Sequence, residues 1–401
     1  MRKLMNGKLQ ILFLLFFLTV SPVAAQERVE FFGYFESQIM GTGLKGDFYQ
    51  LYTNKLRIDL KSDLLDNITF GVNFDYITYH GKTKWDILEF LPNNITSQVP
   101  PGMKGFYFLP FSDRVFLDNA YIKIGFKHFD LTVGKQQISL GTGYVWNPMD
   151  VFNIKDILDP TYEQPGHNAM RFDLPLGATY RITALYSPED EFKNSAKLIE
   201  FKGRISRFDY SLIAIEKHWR FHDYTQFDLA NMNFLELPEN RQLLGFSTAG
   251  EFLGLGVWAE YAHNNLEKTK EFESLVIGTD YTFDFQTYIM AEFFHNTLGK
   301  RNFKQYDIND WMRLLANEQK AISQDQVYIF IQHPITDFIS LGASSIYSIS
   351  DNSFALVPML NCNYSDNLDI MAYLNFNFGK EGTAYSKETG NGGILRARFY
   401  F

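Results

Sequence analysis

From Glu30 to Phe401 the chain alternates apolar and polar residues with a period of two, in segments of about ten residues bounded by Gly, Pro, Asn, Asp and Ser. Leu56, Ile58 and Leu60 alternate with Arg57, Asp59 and Lys61, and Ile68, Phe70, Val72, Phe74 and Tyr76 alternate with Thr69, Gly71, Asn73 and Asp75. Near the end, Leu368, Ile370, Ala372, Leu374 and Phe376 alternate with Asp369, Met371, Tyr373, Asn375 and Asn377. Successive side chains of a strand point to opposite faces, so this pattern builds sheet with one apolar and one mixed face. The fold class is therefore expected to be all-β.

Strands are expected near 28–41, 49–61, 66–80, 113–126, 128–140, 167–175, 178–188, 194–205, 207–219, 240–252, 254–265, 271–283, 285–297, 322–333, 336–349, 352–363, 367–378 and 391–401. Their connections alternate short and long. Ser62 to Leu65, Lys127, Leu176-Gly177, Ser206, Leu253, Asp284, Pro334-Ile335 and Tyr364 to Asp366 lie in tight ones. The spans 81–112, 141–166, 220–239, 298–321 and 379–390 are long. Short turns at one rim and long loops at the other describe a single transmembrane antiparallel β-barrel of about 18 strands, with 16 the alternative count, short periplasmic turns and long outer loops. Hydrocarbon offers no partner for an open sheet edge, so such a sheet must close. A periplasmic β-sandwich is the competing class.

Composition supports this frame. The chain is 46% hydrophobic and 17% aromatic, which excludes disorder, and its single cysteine, Cys362, excludes a disulfide framework. Arg2, Lys3 and Lys8 precede an apolar run from Ile11 to Val20 and then Pro22-Val23-Ala24-Ala25, the order of a secretory signal. The expected domains are a signal peptide, 1–25, and the barrel, 26–401. Removing three basic residues leaves 34 basic against 46 acidic, a charge of −12, which disfavours a nucleic-acid partner.

Two segments carry more specific information. The last strand sets Leu395, Ala397, Phe399 and Phe401 on one face and Ile394, Arg396, Arg398 and Tyr400 on the other. It resembles the assembly signal of bacterial outer-membrane barrels, which implies the barrel-assembly machinery as a partner with Phe399 and Phe401 in the signal. The stretch from Val133 to Asn153 contains Gly141, Gly143, Trp146, Asn147, Pro148 and Asp150. It resembles a stretch of porin-like and alginate-export-like outer-membrane barrels over some twenty residues. Its glycines permit close backbone approach or positive φ, and Pro148 stops strand pairing. The span 141–166 is thus expected to fold inward as a constriction loop, with a plain surface loop as the alternative.

The mixed face of the strands is expected to line a lumen. Lys55, Arg57, Lys61, Arg171, Arg181, Lys202, Arg204, Arg396 and Arg398 give it a basic wall, and Glu251, Glu260, Asp280 and Glu292 an acidic wall roughly opposite. These imply a transverse field that filters by charge. The alternative is lumen ion pairs that stiffen the barrel, since Asp59, Asp173 and Glu200 interrupt the basic set.

Helices are expected within 307–320 and 85–91 of the outer loops, capping the mouth or acting as lids. Trp85, Phe106, Tyr107, Phe108, Trp146, Phe221 and Tyr224 form either a membrane-interface belt or a sugar-stacking surface. His218, His222 and Asp223 are the one tight cluster with metal-ligand character, and it needs a third ligand. No phosphate loop and no nucleophile elbow occur, so no enzyme activity and no cofactor are expected. The expected function is passive or selective diffusion of small hydrophilic solutes or oligosaccharides across a bacterial outer membrane, with lipid bilayer around the barrel and homo-oligomerisation open. The alternative is an occluded barrel serving as a surface binding scaffold or polysaccharide-export component.

Overall fold

The computed structural model describes residues 29–155, 163–189 and 192–401; the expected signal segment 1–25 lies outside the described residues. The first strands are β1 (Val29–Leu44), β2 (Asp47–Leu65), β3 (Ile68–Gly81), β4 (Lys84–Asp86), β5 (Phe108–Pro110), β6 (Arg114–Gly125), β7 (Asp130–Gln137), β8 (Gly166–Leu176), β9 (Tyr180–Ser187) and β10 (Ala196–Ile205). They are followed by β11 (Phe208–Asp228), β12 (Asn233–Phe252), β13 (Leu255–Leu266), β14 (Phe272–Thr282), β15 (Tyr288–Asn296), β16 (Asp325–Pro334), β17 (Ile339–Ser348), β18 (Ser353–Ser365), β19 (Leu368–Phe378) and β20 (Asn391–Tyr400).

All but β4 and β5 belong to one 18-stranded sheet in which neighbours in sequence pair antiparallel. Pairing of β1 with β20, from Tyr34 opposite Tyr400 to Gly43 opposite Asn391, closes the barrel. The count is eighteen. No described helix is long and apolar enough to cross a membrane. β4 and β5 form a separate hairpin within the 82–113 connection.

Turn chemistry sets the tight ends. Lys45 and Gly46 both take positive φ, 47° and 97°, as do Leu253 and Gly254, 53° and 81°. Two consecutive left-handed residues make the two-residue turn whose twist matches its flanking strands. Strand pairing therefore reaches Leu44 and resumes at Asp47, where a connection over 42–48 was expected.

Two further boundaries differ from expectation. The span 220–239 is not a loop: β11 and β12 continue as a long hairpin to Asp228 and Asn233, with one register shift between Asp223 and Phe227. Over this extension the apolar and polar alternation fades while the backbone ladder persists. Conversely, β7 ends at Gln137, and Ile138 and Leu140 leave the sheet to pack with Met149, Leu185 and Leu243.

The outer connections fold together. Leu88, Leu91, Ile95, Val99, Tyr107, Tyr224, Tyr306, Ile308, Trp311 and Met312 form one buried apolar cluster drawn from the 82–113 segment, the β11–β12 hairpin and the 297–324 segment. Two helices contribute, α1 (Asn93–Thr96) and α2 (Ile308–Leu315). α2 carries the expected caps: Asp307 accepts from the Asp310 N–H and Asp310 accepts from the Asp307 N–H, a reciprocal capping box. The 85–91 candidate is a single 3-10 turn, Ile87–Phe90, capped by Asp86.

Candidate functional site

The strand register places Lys55, Arg57, Arg171, Arg181, Lys202, Arg204, Glu251, Glu260, Asp280, Glu292, Arg396 and Arg398 on one continuous face of the sheet. Leu395, Phe399 and Phe401 lie exposed on the other. The first face is the concave one, because the connection between β7 and β8 touches it on opposite sides. Its near part packs on β8 to β17, whereas Glu163 near its end touches Tyr34, Lys55, Arg57 and Arg398 on β1, β2 and β20. One segment can meet both walls only from inside a closed barrel.

The inward course of this segment starts in its sequence. Asn147-Pro148-Met149-Asp150 is a β-turn in which the Asp150 N–H donates to the Asn147 carbonyl at 3.1 Å, with proline at the position whose φ it presets. The Asp150 carboxylate then accepts from the Phe152 and Asn153 N–H groups, each at 2.9 Å. Asn147 Nδ2 closes the base of the loop on the Leu140 carbonyl at 2.9 Å. Gly141, at φ +83°, leaves no room for a Cβ beside the Glu260 carboxylate, and a Cβ on Gly143 would overlap the Trp146 carbonyl.

Two buried wall carboxylates hold the loop. Glu260 on β13 accepts the N–H groups of Thr142, Gly143 and Met149. Glu292 on β15 accepts those of Tyr144, Val145 and Trp146 at 2.6, 3.0 and 2.8 Å, and also Trp258 Nε1 at 2.7 Å. Consecutive backbone N–H groups aimed at one anion form the concave nest that stabilises a negative charge away from water. Apolar packing supplements this. Trp146 stacks on Phe294 with ring centroids 5.0 Å apart, and Met149 sits over Gly245. Lys320, from the 297–324 segment, donates to the Asp150 carbonyl at 2.9 Å. Burial pushes its ammonium down to about 8 against the pull of Asp150. Lys155 donates to the Gly143 and Tyr144 carbonyls, and burial lowers it too.

The basic residues of the concave face have acidic neighbours. Arg57 meets Asp59 at 3.0 Å and Asp118 at 3.3 Å; Lys55 meets Asp75 and Glu163; Arg398 meets Glu36 at 2.6 Å and Glu163; Arg396 meets Glu36 and Gln38. Arg171 and Arg181 share Asp173, and Lys202 meets Glu200. Arg204 with Asp209, and Glu251 with Arg207, form exposed pairs at the tight-turn rim. Asp280 accepts the Tyr288 hydroxyl at 2.9 Å. Lys61 reaches Glu30, also at that rim.

A cavity of about 330 Å³ opens between this loop, the 317–320 segment and the wall at Trp219, Arg241 and Phe272. The His218, His222 and Asp223 cluster does not assemble as a metal site: His222 is taken up by Glu318 at 2.6 Å, and Asp223 by Thr225, Gln226 and Asn309. Among the described residues no three His, Cys, Asp or Glu side chains converge on a metal position. Of the loop aromatics, Trp85 and Phe90 stack on each other, Phe106 stacks on Phe227, and Tyr107 and Tyr224 are buried in the outer cluster. Glu163, Lys320 and Arg241 were not singled out from sequence: Glu163 and Lys320 meet partners more than a hundred residues away, and Arg241 meets Trp219, Asn264 and Phe272 on nearby strands, contacts that local spacing does not mark.

This architecture, a closed 18-stranded antiparallel β-barrel, is shared with solved bacterial structures. Similar solved structures include OccAB4 of Acinetobacter baumannii, with 10% identity over 93% of this chain and 98% of that one and a TM-score of 0.56. OccK2 (OpdF) of Pseudomonas aeruginosa, determined in complex with glucuronate, has 8% identity over 94% of this chain and 98% of that one and a TM-score of 0.57. At such identity the likeness is one of fold. No family model matches the chain, and no curated protein matches it.

Proposed function

We infer that the protein is an outer-membrane diffusion channel for small hydrophilic solutes, with the lumen narrowed by the 138–155 segment and its return through Glu163. The observation that carries this reading is the anchoring of one connection to opposite walls of the lumen, by Glu260 and Glu292 on one side and by Lys55, Arg57 and Arg398 on the other. An 18-stranded barrel is wide enough to leave an aqueous passage, so a loop held across it sets the size of what passes. The dense ion pairs along β1, β2 and β20 favour a stiffened, largely neutralised wall over an uncompensated transverse field. The mechanism is selection by width and by local polar groups, with no bond made or broken.

The chain enters the membrane, on this reading, after removal of residues 1–25 and recognition of the strand ending at Phe399 and Phe401 by the assembly machinery. A second reading, the occluded surface scaffold, draws on the buried apolar cluster that ties the outer segments together over the mouth. Liposome swelling separates the two. Vesicles carrying the folded protein should swell in small sugars, with rates falling as the sugar grows; vesicles that stay tight to every sugar would support the scaffold.

A further inference from the structure

We propose that Glu163 is a clasp for barrel closure: the lumen loop supplies the carboxylate that captures Arg398 of the last strand and holds it against the first. The seam between β1 and β20 differs from every other pairing in the barrel. Each of the others joins strands that follow one another around the sheet, so a turn or loop keeps them close; β1 and β20 are brought together over the whole length of the chain. Closing so long a segment costs more chain entropy than closing a hairpin, and the seam has to offset that with its own contacts. Its backbone ladder runs from Tyr34 opposite Tyr400 to Gly43 opposite Asn391. Toward the outer loops it passes Gly41 opposite Gly393 and Thr42 opposite Gly392, pairs with little side chain to hold.

Charge concentrates in the remainder of the seam. Glu36 on β1 meets Arg398 at 2.6 Å, and Gln38 meets Arg396 at 2.7 Å. The Arg398 guanidinium also lies over the Tyr34 ring at 4.2 Å and meets Glu163 at 3.5 Å. Glu163 is itself fixed from the β1–β2 side: it accepts from the Tyr34 hydroxyl at 2.7 Å, from Lys55 Nζ at 2.7 Å and from Arg57 at 3.4 Å. Two carboxylates and one ring, all from elements that precede β20, thus form a socket for the guanidinium of Arg398. The socket needs the loop to be inside the barrel, because Glu163 comes from the β7–β8 connection, whose earlier part is bound to Glu260 and Glu292 on the opposite wall. Loop seating and closure are therefore one event: the carboxylate at the end of the loop is the one that the last strand meets. This role concerns assembly and needs no solute to pass through the lumen.

The test is refolding of the full chain from urea into detergent micelles, read as the appearance of the heat-modified gel form. Ser37 and Ala397 face each other across the seam. Ser37→Cys with Ala397→Cys, in a Cys362→Ser background, lets a disulfide join the two strands before folding starts. This parent is compared with Glu163→Gln and Lys197→Gln, each with the seam disulfide oxidised or reduced. Lys197 pairs with Glu216 between β10 and β11, which a tight turn already joins, and is the control for losing an ion pair. Reduced Glu163→Gln is expected to fold roughly fivefold more slowly than the reduced parent, or not at all, and Lys197→Gln at the parental rate. Oxidised Glu163→Gln is expected to fold at the rate of the oxidised parent, because the disulfide supplies the connection that the clasp provides. A parental rate for reduced Glu163→Gln, or an equal slowing in Lys197→Gln, would overturn the proposal. So would a deficit that persists in the oxidised form, which would leave Glu163 as an anchor of the loop with no part in closure.

Discussion

The carboxylate of Glu292 on β15 accepts the backbone N–H of Trp146 at 2.8 Å, joining the barrel wall to a loop 146 residues earlier in the chain. The same carboxylate takes the Tyr144 and Val145 N–H groups, and Glu260 takes three more. The inward position of the loop thus depends on two acids that the loop's own sequence does not contain.

Glu292→Ala is expected to free the loop from the wall. It strands three backbone donors and the Trp258 indole N–H, at about 1–3 kcal/mol for each that stays buried, so the loop should leave rather than remain unsatisfied. Single-channel current is expected to rise and grow noisier, and protease is expected to cut near Trp146. Wild-type current and protection in this variant would show that apolar packing alone holds the loop.

Gly143→Ala should produce the same phenotype by a different route. The added methyl collides with the carbonyl of Trp146, whose N–H belongs to the nest around Glu292, so the turn has to open. Gly102, where a Cβ meets nothing, provides a neutral control for the alanine substitution. Conductance of Gly143→Ala equal to that of Gly102→Ala would refute the steric account.

Much of this was legible in the sequence, and the limits are physical. Period-two alternation locates strands wherever one face meets an apolar medium, which is why all eighteen barrel strands were anticipated and why the β11–β12 extension, outside that medium, was not. The turn at Asn147-Pro148-Met149-Asp150 was legible because proline and the flanking polar groups act locally, whereas its direction was left open between an inward loop and a surface loop. Its anchors Glu260 and Glu292 were recognised as facing the lumen, yet read as part of a charged wall, because alternation gives the face of a side chain and not its partner. Glu163 acts through contacts with β1, β2 and β20 across the barrel, Lys320 through a loop 170 residues earlier, and Arg241 through side chains of nearby strands, none of which alternation specifies.

Deletion of Phe401 is expected to lower the yield of folded barrel. The Phe401 N–H and carbonyl pair with Gly33 at 3.1 Å each, extending the seam between β1 and β20 by one residue. Its ring lies 6.3 Å from Phe31 on the outer surface. The readout is the heat-modified fraction in isolated outer membranes, and an undiminished fraction would remove Phe401 from the assembly signal.

The most direct test of the central claim is single-channel conductance of the folded protein in a planar bilayer, wild type beside Glu260→Ala and Glu292→Ala. A steady wild-type current that increases in both variants is the predicted result. Silence in all three, from protein whose gel mobility shows a folded barrel, would contradict a diffusion channel narrowed by an anchored loop.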